Sequence, residues 1–171
     1  SGAVTQSALI SGTTLTLLGT TAATGTFPLN TQINTVTALE ADTDTLTSVL
    51  FRDDTGFAVA GIDASGAVTL DTAGAVTQTA AINGSTLTLE NTTAAGTATF
   101  SLGTSNNDVT TLDANNDTLT SVIFRDDDGF VVAGIDASGI VTLDSYGAVT
   151  QTAVINGTTL TLLGTAGACD S

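Results

Sequence analysis

The sequence predicts an all-β chain wound as a parallel β-solenoid, a right-handed β-helix of about seven rungs. Three observations predict it. The chain repeats itself: positions 119–144 restate positions 46–71 with only four changes, Leu50/Ile123, Thr55/Asp128, Ala58/Val131 and Ala67/Ile140. Short runs rich in Val, Ile, Thr and Phe recur about every ten residues, parted by Asn-Gly, Asp-Gly and Ala-Ser-Gly turn formers. No stretch carries a 3.6-residue apolar period between caps, so no helix is expected.

Taken in order, the elements follow a layout a, b, c, a, b, c, a. "GAVTQ" opens at Gly2, Gly74 and Gly147, and "TLTL" follows at 14–17, 86–89 and 159–162. The units are 1–73, 74–146 and a partial third, 147–171. In the second unit the strand signals are 75–82, 85–90, 97–102, 108–113, 119–126, 129–136 and 139–144, seven in all. A one-residue slip between "TTAATGTF" and "TTAAGTATF" reads as a loop, and the lone proline, Pro28, belongs at a strand edge or bend. Three rungs of about 24 residues each would account for one unit. The alternative is a tandem pair of seven-stranded sandwiches, but the unit is short for one, and two strands would be left over.

Composition excludes several classes. Net charge is −15, with 17 acidic residues against two arginines and no histidine. Such a balance offers no footprint for phosphate, so nucleic acid is not expected as a partner, nor is an anionic membrane surface. No apolar run reaches the 18 or more residues of a membrane span, so no insertion is expected. There is neither an initiator methionine nor a signal-peptide pattern, as expected of a processed or excised product. The only cysteine, Cys169, cannot form an internal disulfide and reads as a free thiol or a link between chains. The Ala/Gly/Ser/Thr/Asn/Asp bias without lysine suits a secreted, extracellular surface protein.

Catalysis finds few carriers. Without histidine or lysine a Ser-His-Asp triad is impossible, and carboxylate pairs such as Asp53/Asp54 or Asp42/Asp44 lie in turn-like strings with no tryptophan platform for sugar. No enzyme and no cofactor is expected. Calcium is the one candidate ion, through the oxygen-rich loops holding Asp113, Asp117, Asp126 and Asp128, although neither loop follows an EF-hand pattern. Arg52 and Arg125 recur at the same place in each copy and should each pin a turn by pairing with an Asp of that turn or a neighbouring rung. Thr-x-Thr pairs at 14/16, 86/88 and 159/161 could form an ice-binding array, but a sparse one.

Self-association is the remaining expectation. "SVIF" and "GFVVAGI" place Phe130 and Val132 on one face and Val131 and Ile135 on the other, so this strand is expected to be covered twice, by a neighbouring subunit or a second sheet. Both ends use ordinary repeat wording in place of polar caps. The assembly surface is therefore expected at Arg52, Arg125, Val131, Ile135, Phe57, Phe130, Val149, Leu160 and Leu162, the partner being another copy of the chain in a homopolymer, joined head-to-tail or by strand exchange.

The wording "GAVTQTAAINGSTLTL", "NNDVTTLDANN" and "SVIFRDDDGFVVAGI" resembles the repeats of large bacterial β-strand-repeat exoproteins of the filamentous-haemagglutinin-like kind, exported by two-partner or autotransporter routes. The resemblance covers nearly the whole chain. It implies a right-handed β-helix, a cell-surface location and a role in adhesion or fibre formation; the chain departs from the family in running to only about seven rungs. The expected function is thus a structural protein of a surface fibre, the alternative an adhesin module binding a surface ligand through its outer face.

Overall fold

The computed structural model describes residues 2–19, 25–92 and 97–164. Cys169 and parts of both loops at the one-residue slip lie outside them. Fourteen strands make up the described fold: β1 (Ser11–Thr16), β2 (Thr26–Leu46), β3 (Ser48–Asp53), β4 (Gly56–Ala64), β5 (Ala67–Thr72), β6 (Ala75–Gln78), β7 (Ile82–Glu90), β8 (Thr99–Leu119), β9 (Ser121–Asp126), β10 (Val131–Ala137), β11 (Ile140–Ser145), β12 (Thr150–Gln151), β13 (Ile155–Asn156) and β14 (Thr159–Leu163). Every pairing between them is parallel, which excludes the antiparallel sandwich and makes the chain a β-solenoid.

The registers trace two walls. On the first, Phe27, Val49, Val68, Leu87, Leu112, Val132 and Gln151 stand in line. On the second, Thr14, Ala38, Ala58, Thr77, Ser101, Ile123, Thr142 and Thr161 do so, seven steps and hence seven turns. Coils differ in length: the step from Val49 to Val68 is among the shortest, and that from Leu87 to Leu112 is the longest.

These steps correct the expected three rungs per unit. Phe27 lies on the first wall, yet its repeat partner Phe100 pairs with Val76 and Val122 on the second. Position 100 falls midway between Leu87 and Leu112, two successive positions of the first wall. One repeat unit is therefore three and a half coils, and its seven strand signals are seven half-coils. Identical sequence lands on opposite walls. The unit boundary at 73/74 interrupts nothing, since β4 pairs β6 and β5 pairs β7 across it.

Alternation along the strands sends one set of side chains inward. In β3 the inward set is Val49, Phe51 and Asp53; in β5, Val68 and Leu70. The two walls meet in one apolar cluster. Phe51 of one wall and Phe57 of the other meet edge to face with centroids 5.1 Å apart, as do Phe124 and Phe130, a favoured aromatic geometry. Burying each such ring contributes about 2–3 kcal/mol.

The twice-apolar reading of "GFVVAGI" is overturned here. Val132 pairs Leu112 and Gly134 pairs Asp113, so two residues oppose one and the strand bulges. Beyond the bulge the alternation flips: Phe130, Val132 and Ile135 all turn inward, at 2%, 0% and 0% exposure. The same shift at Gly61 brings Ile62 inward beside Phe57 and Val59. Gly61 and Gly134 take φ of +128° and +147°, a backbone that side chains resist, and a Cβ at Gly134 would collide with the Asn115 side chain. The covering layer is the opposite wall of the same solenoid.

Candidate functional site

Where strands turn the corner between walls, polar side chains replace the apolar core. Asn34 and Asn107 are wholly buried. Asn34 Oδ1 accepts from Gln6 Nε2 at 2.8 Å and from the Ile10 backbone N–H at 2.9 Å, both on the preceding coil. Its Nδ2 donates to Leu29 O on its own coil and to Arg52 O on the next, each at 2.9 Å. Asn107 repeats this with Gln78 and Ile82 before it, both 2.8 Å, and Leu102 O and Arg125 O at 3.0 and 2.8 Å. Each asparagine thus ties three successive coils. A buried amide with all its groups paired costs little and fixes register.

Next in the same corners stand Asp53 and Asp126, in register with Asn34 and Asn107. Asp53 Oδ2 accepts from the Val36 N–H at 2.7 Å, and its Oδ1 takes the Thr55 N–H and hydroxyl at 2.8 and 2.7 Å. Asp126 accepts from the Val109, Asp128 and Gly129 N–H groups at 3.0, 3.2 and 3.0 Å. Burial pushes its carboxyl above the ordinary value; the backbone N–H groups pull it back, and the Asp128 carboxyl alongside pushes it up again. The corner asparagines escaped the sequence reading, which singles out Asp53 and Asp126 only as one of a carboxylate pair and as a calcium candidate. The signal available was a polar residue at the same place in both units, 34 and 107, within otherwise alternating strand.

Both arginines pair with aspartates of their own turn or of the next coil. Arg52 Nε lies 3.6 Å from Asp54 in its own turn and 3.6 Å from Asp71 on the next coil, and Arg125 Nε lies 3.2 Å from Asp144. Of the four aspartates named for calcium, Asp126 and Asp128 sit at the corner that ends β9, while Asp113 and Asp117 sit on β8 near Glu90. Burial raises the Glu90 carboxyl, a hydrogen bond from Asn116 lowers it, and Asp71, Asp117 and Asp113 add repulsion. Among the described residues no group of three or more His, Cys, Asp or Glu is arranged to hold a metal. The threonine pairs do not line up: Thr14 and Thr159 lie on the second wall and Thr86 on the first.

The solenoid is open at both ends of the described fold. β1 pairs only with β2, and β14 only with β11. Exposed large apolar side chains gather there: Val4, Leu9 and Leu18 on the first coil, Val154, Leu160 and Leu162 on the last. The comparison within the chain is direct. Leu87 and Leu89 are wholly buried, whereas their repeat partners Leu160 and Leu162 are 48% and 63% exposed. The sequence is the same, and among the described residues β14 has a strand on one side only. Of the nine residues expected at an assembly surface, Leu160 and Leu162 lie on this open edge and Val149 packs half-buried beside it. Phe57 and Phe130 point inward ahead of the bulge and Ile135 is turned inward by it, Arg52 and Arg125 are half-buried in ion pairs, and Val131 lies half-buried on a wall.

The fold and its corners define a parallel β-solenoid stapled by buried asparagines. Comparison with protein-family models, curated proteins and solved structures found none that matches the chain.

Proposed function

We propose that this chain is a non-enzymatic structural protein that builds a fibre from copies of itself outside the cell, by head-to-tail stacking or strand exchange. One observation carries the reading: the end coils expose parallel β edges and leucines that the same sequence buries completely one unit earlier. An edge of unpaired N–H and C=O groups flanked by apolar side chains is a template for another strand. A coil added there is heterologous, so it propagates without closing. The exported, surface-bound setting rests on the lysine-free composition and on the resemblance of the repeat wording to bacterial exoprotein repeats.

Light scattering after size exclusion, with negative-stain microscopy across a concentration series, tests the reading. Oligomers that grow with concentration into filaments about one solenoid wide support it. A chain that stays at 16.9 kDa at every concentration overturns it.

A further inference from the structure

The first and last coils are copies of each other. Positions 2–19 and 147–164 differ at only three places, Ser7/Thr152, Leu9/Val154 and Ser11/Asn156. They are also in phase. Two units make seven whole coils, so the third copy returns to the wall positions of the first: Ala3 and Thr150 fall on the first wall, β1 and β14 on the second. The internal copy, 74–90, stands half a coil out of phase.

The corner asparagines show what such a coil can grip. In all three copies the glutamine amide is held the same way, Gln6 Nε2 donating to Ala8 O, Gln78 to Ala80 O and Gln151 to Ala153 O at 3.1, 2.9 and 3.2 Å. In the first two that amide and the isoleucine N–H four positions on grip a buried asparagine, Asn34 or Asn107. Among the described residues Gln151 and Ile155 grip none. The two asparagines gripped by this latch elsewhere both lie within strands of the β2 or β8 type, Asn34 on β2 and Asn107 on β8.

Resting on the fibre reading, we propose that the last coil of one copy, residues 147–164, seats on the Thr26–Leu46 strand of a second copy in place of that copy's residues 2–19. Gln151 and Ile155 then hold Asn34 of the second copy, and Leu160 packs beside Leu39 as Leu15 does within one chain. The contacts exchanged are nearly identical. The incoming segment is already ordered on β10 and β11, whereas the displaced segment regains chain freedom, and that difference drives the exchange.

Cysteine trapping in the full chain, on a Cys169→Ser background, tests it. Thr16 faces Glu40, with the hydroxyl 3.0 Å from the carboxylate; in the exchanged state Thr161 takes that place. A Thr161→Cys chain is mixed with a Glu40→Cys chain, and separately with a Thr16→Cys chain, under mild oxidant. Crosslinked dimers from the 161/40 mixture are expected, and a further Gln151→Ala change, at an exposed site, should lower their yield about fivefold for the lost hydrogen bond. An unchanged yield overturns the latch. Oligomers that crosslink only through 161/16 overturn exchange in favour of end-on stacking and leave the fibre reading standing. Chains that neither crosslink nor associate in light scattering overturn both.

Discussion

A buried amide and a buried carboxylate decide this fold as much as the phenylalanines do. Replacing Asn107 by Asp keeps the acceptor for Gln78 and Ile82 but removes the donor to Leu102 O and Arg125 O. Two buried carbonyls lose partners and a charge enters the corner, so urea unfolding should show a loss of about 3 kcal/mol or more. Asp128 works the other way. It stands where the first unit has Thr55, whose hydroxyl donates to Asp53. Because Asp126 binds its proton more tightly folded than unfolded, its contribution is full in acid, below the unfolded carboxylate range, and is lost as pH rises through the folded value. Asp128→Thr removes one cause of that loss and adds a donor. Melting scans should place the variant above the parent by a few degrees at pH 7, about 1 kcal/mol, with the gap narrowing toward pH 4.

At the element scale the same substitution has opposite consequences in two copies of one segment. Leu89→Ala should cost about 2–5 kcal/mol, since the side chain is wholly enclosed. Leu162→Ala, 63% exposed, should cost under about 1 kcal/mol in the dilute monomer and should weaken assembly; denaturation and light scattering on the pair check both halves. Strand identities were legible in the sequence because Val, Ile, Thr and Phe alternate between clear turn formers. Coil closure was not. Whether seven strand signals wind into three turns or three and a half depends on how tightly corners fold. Corner tightness is set by Asn34 and Asp53 bonding across coils, to partners a whole turn away along the chain. The bulge at Gly134 was hidden for a related reason. A glycine in an apolar run looks like a gap in packing until the partner strand shows two residues facing one. The arginine pairs were readable because opposite charges recur together; the latch was not, because glutamine and asparagine are ordinary outward residues in a strand.

For the whole molecule, charge opposes the proposed association of copies. Each copy carries −15, so bringing copies together accumulates like charge that salt screens. Assembly should therefore be weak at about 10 mM salt and strengthen by about 150 mM, read by light scattering; a rate falling with salt would mean that attraction between opposite charges, not apolar and backbone pairing, joins the copies. The half-coil phase of the repeat reaches further. A chain that lengthens by whole modules deals its side chains alternately to the left and right of the ribbon, as cards fall to two players. Duplication alone can never give one side a private surface: any patch written into the module appears on both flanks, staggered. A filament made this way has no front and no back, and whatever it presents to its surroundings it presents in two directions at once.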